Sequence, residues 1–202
     1  MTSGTDFWRA LFGNEAPVEI EIGSGNGAFL SAIATRSQTR NFLGIERSPS
    51  KARRLAARIA TLGSANVRTL QADAPCLVTS ILPAGSVAAY HVYFPDPWPK
   101  RGHATRRVFS VTFVAGLART LTASGRLLVA TDVPGYAAVA LERILADGGF
   151  IETAAAENHP GLTTSFARKY RTAGRALYAY TFVRVGEPGD VQGLAASKMR
   201  ST

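Results

Sequence analysis

The sequence predicts one doubly wound α/β domain, a seven-stranded and mostly parallel sheet with helices on both faces and an antiparallel strand at its edge. Three observations predict it. From Val18 onward, short β-rich runs alternate with helical runs. A glycine-rich turn joins the first strand-like run to the first helical one. The length, 202 residues with 46% hydrophobic content, suffices for one domain with a real core, is short for two, and excludes a disordered or fibrous chain.

Taken in order, residues 1–16 read as a leader and turn around DFWRALF, with Phe7 and Trp8 packing onto the domain. The domain is expected over 17–185. It opens with VEIEI, the glycine turn, AFLSAIATR, NFLGI, PSKARRLAARIATL and VRTLQ. It continues with SVAAYHVYF, a Pro-rich loop, VFSVTFVAGLARTL, GRLLVAT and YAAVALERILAD, which Gly148 and Gly149 close. Five βα units in this order imply a mostly parallel sheet. IETAAAE and ALYAYTFVRV follow, the second alternating like a strand that returns antiparallel at the sheet edge. Residues 186–202 read as a solvated tail.

Twenty-three Lys and Arg against fourteen Asp and Glu give a net charge of +9, which favours a polyanionic partner, nucleic acid first. A single cysteine, Cys76, excludes internal disulfides and thiolate-rich zinc sites. No His and carboxylate cluster has ligand spacing, so no metal is expected. No run is long and apolar enough for a membrane span, and the N-terminus lacks a signal-peptide pattern, so a soluble cytoplasmic protein is expected, monomeric or homodimeric.

Between Ile22 and Leu141 there are four acids, Glu46, Asp73, Asp96 and Asp132, against fourteen Lys and Arg. Each follows a predicted strand, and Glu21 lies near the end of the first. In an open parallel sheet those strand ends form one ligand-binding rim, so the five carboxylates are expected to face one cleft. An acid after a strand is also a good helix N-cap, and Asp132 ahead of Pro134 is the best candidate for that alternative.

Gly23, Gly25 and Gly27 let a ligand approach backbone amides, but their spacing is not the dinucleotide GxGxxG. Glu21 before the turn disfavours a pyrophosphate and suits a cation, while Glu46, 23 residues after Gly23, is placed for ribose hydroxyls. A nucleoside with a cationic tail fits, and S-adenosylmethionine is such a molecule. Asp73 could accept from its adenine amino group.

In YFPDPWPKRGHATRR, Pro95, Pro97 and Pro99 stiffen the chain around Asp96 and Trp98. Rigidity there suits a carboxylate that holds a planar base beside a reactive methyl group. Lys100, Arg101, Arg106 and Arg107, with His103 among them, suit phosphate contacts; a structural turn with a solvated basic face is the plainer alternative.

EIGSGNGAFL, GIE, ADA, YFPDPWPK and TSFARKYRTAG together resemble the bacterial tRNA (guanine-N7)-methyltransferase family over about residues 18–184. The resemblance implies a Rossmann-like class I methyltransferase fold, S-adenosylmethionine as methyl donor, and N7 of a variable-loop guanosine in tRNA as target. It implies that positions matching Glu21, Gly23, Gly25, Glu46, Asp73 and Ala74 hold the cofactor, that Asp96 is catalytic, and that Lys100, Asp132 and Thr164 contact substrate. Two departures stand out. Gly102, Ala104 and Thr105 thin the basic run after PWPK, and the family's Thr-x-Phe-Glu reads Thr164, Ser165, Phe166, Ala167. A glutamate at that place is expected to help recognise guanine donors, while Arg168, Lys169, Arg171 and Arg175 persist as a basic strip. The alternatives are methylation of another nucleobase atom and a non-catalytic RNA-binding subunit that keeps the fold.

Overall fold

The computed structural model describes residues 3–96, 109–153 and 159–186. The β-rich runs become seven strands: β1 (Val18–Ile22), β2 (Asn41–Glu46), β3 (Val67–Gln71), β4 (Val87–Tyr93), β5 (Leu121–Thr131), β6 (Phe150–Thr153) and β7 (Tyr178–Arg184). They form one sheet in the order β3-β2-β1-β4-β5-β7-β6. The first five pair in parallel, and β7 runs antiparallel to both β5 and β6. The returning strand therefore sits one place in from the margin, with β6 outside it. The order reverses between β1 and β4, which opens a crevice beyond their carboxyl ends.

Among the described residues seven α-helices accompany the strands: α1 (Gly4–Phe12), α2 (Ala28–Arg36), α3 (Pro49–Leu62), α4 (Ala74–Cys76), α5 (Val111–Thr120), α6 (Pro134–Ala146) and α7 (Ser165–Thr172). A π turn, Leu77–Ile81, and a 3-10 turn, Pro160–Thr163, complete the described elements. The alternation of strand residues between faces builds separate cores. Ile20, Ile22, Tyr90, Val92, Leu127 and Val129 share one with Trp8 and Phe12 of α1, Phe113 and Leu117 of α5, and Ile144 of α6. On the other face Leu30, Phe42, Leu55, Ile59 and Val67 bind α2 and α3 to the sheet, and Ala89, Tyr93, Leu128 and Ala130 form a third cluster.

Three boundaries differ from the sequence reading. Ser110 starts α5 by accepting the Phe113 N–H, so that helix begins later than the apolar run. Strand β5 begins at Leu121 with no loop, because a register shift after Val87 absorbs the extra residues, with Ser124 at φ 59°. Between β3 and β4, where the sequence reading assigns no element, stand the short α4 and the π turn, with Pro75 in the first helical turn.

A buried ionic cluster crosses the sheet. Glu19 Oε2 lies 2.7 Å from His91 Nε2, Arg40 Nη1 donates to Glu19 Oε1 at 2.9 Å, and His91 Nδ1 lies 2.7 Å from the Tyr93 hydroxyl. Burial raises the Glu19 carboxyl, but the His91 hydrogen bond and the charges of His91, Arg40 and Arg126 outweigh it and hold the group below its usual range.

At Gly44 of β2 both a helix and a turn press close on the sheet. A Cβ there would lie 2.7 Å from Leu30 Cδ2 and 2.9 Å from Ser24 Oγ. Gly44→Ala should lower unfolding free energy by about 1–3 kcal/mol through overpacking. Denaturant titration should show a lower midpoint at unchanged slope, and an unshifted midpoint would show that α2 moves freely.

Candidate methyl-donor and RNA site

The turn after β1 is fixed from two sides. Gly23 and Ser24 both donate backbone N–H groups to Ile45 O, at 2.9 and 3.0 Å. Glu46 then takes the Gly25 N–H on Oε2 at 2.9 Å and the Ser48 N–H on Oε1 at 2.8 Å. One carboxylate thus ties the turn to the start of α3. Gly23 and Gly25 have φ of 78° and 55°, values that L side chains rarely adopt. A Cβ on Gly23 would meet nothing within 4 Å, and one on Gly25 only the Gly23 carbonyl at 4.0 Å, so the turn borders open space.

Glu21 is the unusual member of this group. Its side chain is buried and its Oε2 has no hydrogen-bond partner among the described residues. Burial pushes the carboxyl up to about 7, the Ser24 hydroxyl opposes that, and the Glu46 charge adds to it. A buried carboxyl oxygen left unpaired is costly unless a ligand completes it. An orphan acid beside glycines that open onto free space fits a cationic group with a nucleoside body. Glu46 is itself buried, and its two accepted hydrogen bonds leave capacity for ribose hydroxyls. The residues present fit S-adenosylmethionine.

Asp73 and Asp96 lie beyond the ends of β3 and β4, and both are exposed. Asp73 accepts the Cys76 N–H at 3.3 Å, so it serves as the α4 N-cap, and Ala74 beside it is buried. Asp96 follows Phe94, whose φ of 49° and N–H bond to Ala130 O at 2.7 Å turn the chain sharply out of the sheet. Lys100, with Trp98, His103 and the rest of the basic run, lies outside the described residues.

Asp132 and Thr164 define a second group. The N-cap of α6 is Val133, whose N–H goes to Thr131 Oγ1 at 3.2 Å, and Pro134 follows in the first turn. The capping alternative for Asp132 is therefore corrected: its Oδ2 pairs with Arg175 Nη1 at 2.6 Å, because the chain after α7 brings a guanidinium to it. Thr164 does cap a helix. Its Oγ1 accepts the Ala167 N–H at 3.1 Å and donates to Gly161 O at 2.9 Å, and Ala167 is fully buried.

Two features escaped the sequence reading. Phe94, two residues before Asp96, forms an aromatic cluster with half-exposed Phe166 and Tyr170, and the Arg175 guanidinium lies 5.0 Å over the Tyr170 ring. His159 anchors the 3-10 turn: its Nδ1 accepts the Gly161 N–H at 3.2 Å and its Nε2 lies 3.1 Å from Tyr180 O. Burial lowers its pKa to about 4 against that carbonyl contact, with the His91 charge adding to the fall, so the ring is neutral at pH 7. The available signal for the first was the pair of aromatics in TSFARKY spaced one helical turn apart.

Solved structures carry the same architecture. The 16S rRNA methyltransferase KamB superposes with a TM-score of 0.65 at 19% identity, over 92% of this chain and 96% of that one. A SAM-dependent methyltransferase from Aquifex aeolicus gives 0.59 at 14% identity, over 84% and 82%. The fold is that of the S-adenosylmethionine-dependent methyltransferases. A family model described as putative methyltransferase matches residues 15–180. The tRNA (guanine-N(7)-)-methyltransferase of Aeromonas hydrophila is 36% identical over 182 residues, 87% of this chain and 76% of the relative. That of Thermus thermophilus is 33% identical over 177 residues, 88% and 57%, and that of Leifsonia xyli 44% over 128, 63% and 56%. The chain belongs to this family of bacterial tRNA (guanine-N7)-methyltransferases, and spans about half the length of most of the curated relatives it matches.

The raised Glu21 carboxyl gives a signed expectation. Its folded pKa of about 7 exceeds the ordinary 4.5, so its contribution to stability is present below pH 4.5 and lost as pH rises through 7. Glu21→Gln removes that cost. The ligand-free variant should gain stability at pH 8, by about 3 kcal/mol at most, yet bind S-adenosylmethionine at least tenfold more weakly. A thermal scan and a calorimetric titration check both, and a variant that is less stable at pH 8 would contradict the placement of an unpaired charge there.

Proposed function

We propose that the chain transfers a methyl group from S-adenosylmethionine to N7 of a guanosine in cytoplasmic tRNA, in the variable loop by the resemblance of its motifs. The observation that carries this reading is the buried, unpartnered Glu21 oxygen at the mouth of the Gly23–Gly25 turn. It calls for a cation, and the family supplies one in the sulfonium donor.

On this reading Glu21, Gly23, Gly25 and Glu46 hold the donor's polar body, with Asp73 and the Ala74 N–H at its base. The donor supplies a methyl group on a positively charged sulfur. The remaining work falls on the protein. Guanine N7 carries an in-plane lone pair, so no side chain has to remove a proton before attack. What accelerates transfer is alignment of the base and negative charge near a purine that becomes cationic. We assign both roles to Asp96, which is exposed beyond the end of β4. The Asp132 carboxylate, held by Arg175, faces the same strand ends, and Thr164 fixes the helix whose Arg168, Lys169 and Arg171 meet phosphates. Lys100 joins them as a substrate contact.

The test is transfer of labelled methyl from S-adenosylmethionine to unmodified bulk tRNA, followed by borohydride and aniline cleavage. Cleavage at one guanosine supports the reading; label without cleavage indicates another target atom, and absence of label with the donor bound indicates an RNA-binding subunit. Asp96→Asn should lower kcat at least a hundredfold with donor affinity within about twofold, and full turnover would remove Asp96 from the chemistry.

A further inference from the structure

Residues 47–72 hold six cations and no acid. Arg68 is occupied within the fold, donating to Leu11, Ala65 and Val67 carbonyls and lying over the Phe12 ring. The other five, Arg47, Lys51, Arg53, Arg54 and Arg58, are exposed, and among the described residues none has an ion-pair or hydrogen-bond partner for its side chain. Four of them are on α3, which turns Ala52, Leu55 and Ile59 to the sheet and leaves the cations outside.

This arrangement costs helix stability. Lys51 and Arg54, then Arg54 and Arg58, are like charges one turn apart, and Lys51 sits at the helix end where the backbone dipole is already positive. An external polyanion relieves both effects. Lys51 to Arg58 spans about 10 Å of helix, the axial rise of about three phosphates on one strand of a duplex.

The strip also has a defined place. The Arg58 Cδ lies 3.5 Å from where a Cβ on Gly27 would be, so the strip borders the glycine turn. Helix α3 packs on β2 and β3, while α7 packs on the 3-10 turn that contacts β4 and β5, and Arg175 just after α7 pairs with Asp132 beyond the end of β5. Strands β3 and β5 stand four places apart in the sheet, about 19 Å. The two basic surfaces thus flank the strand-end cleft from opposite sides.

We propose that α3 is a second phosphate-backbone site, which grips the RNA on the wall of the cleft opposite α7. The inference rests on the RNA substrate proposed above. In the full chain, Lys51→Gln, Arg53→Gln and Arg54→Gln together should raise KM for an unmodified tRNA transcript about tenfold with kcat largely kept. The slope of log affinity against log salt should flatten by about 2–3. The charge-preserving triple Lys51→Arg, Arg53→Lys, Arg54→Lys should return KM to within about twofold, which a folding defect would not do. Unchanged KM and salt slope in the glutamine variant would overturn the proposal. So would an unchanged RNA slope with lost binding to phosphatidylserine vesicles, which would assign the strip to a membrane surface. A wild-type chain that binds the transcript but methylates no RNA would defeat the substrate reading alone, and the change in slope would still decide the role of α3.

Discussion

The site depends on the Glu46 carboxylate. By accepting the Gly25 and Ser48 amides it fixes the glycine turn to the start of α3, and so sets both the open side of the turn and the direction in which α3 leaves the sheet. Hydrogen bonds from backbone amides to a charged acceptor are about twice as strong as neutral ones. Without that tie the turn, three of whose glycines have positive φ, would be held by its backbone bonds alone, two of them to Ile45 O. The basic face of α3 and the proposed donor pocket share this one support.

Strand β1 holds a comparison that locates the site by itself. Glu19 and Glu21 are two residues apart on the same face, and both are buried. Glu19 has His91 and Arg40 as partners, and its carboxyl is held low. Glu21 lies next to Glu46, has one oxygen unpaired, and is driven high. Same residue, same strand, opposite titration: the difference is what surrounds each. The partnered acid belongs to the scaffold, where breaking the cluster would strand a buried charge. The other is finished only when something from outside the chain is present.

The sheet was legible because the hydrophobic periods along the chain changed where the elements changed, and the acids after strands marked the open end of the sheet. Glu46 and Asp73 carry more structure than their position announces, since an acid that caps a turn and an acid that binds a ligand look alike in sequence. Asp132 shows the limit most plainly. Local spacing offered a helix cap as the alternative to a cleft carboxylate, but its partner Arg175 is 43 residues away, and no local rule reaches that far. The placement of β7 inside β6 escaped for the same reason, being decided by which strand β5 pairs with and not by anything within ALYAYTFVRV. Tyr93 and His159, which hold the 3-10 turn against the sheet, are core-like aromatics whose contacts exist only after folding.

Ala167 can then be weighed in physical terms. The family's Thr-x-Phe-Glu has the form of a capping box, in which the threonine hydroxyl takes the amide three residues on and the glutamate reaches back to the threonine amide. This chain keeps the first half, Thr164 Oγ1 accepting from Ala167. The second half is met differently, since the Thr164 N–H already points to Gly161 O at 3.5 Å and the threonine hydroxyl donates to that same carbonyl at 2.9 Å. Gly161 can supply that acceptor because it lies tight on the sheet, where a Cβ would come within 2.7 Å of Ala130 Cβ and 2.8 Å of the Tyr93 ring. Ala167 itself is fully buried. The start of α7 is thus held without the glutamate, by a turn packed against β4 and β5, and its loss leaves the basic face of the helix in place.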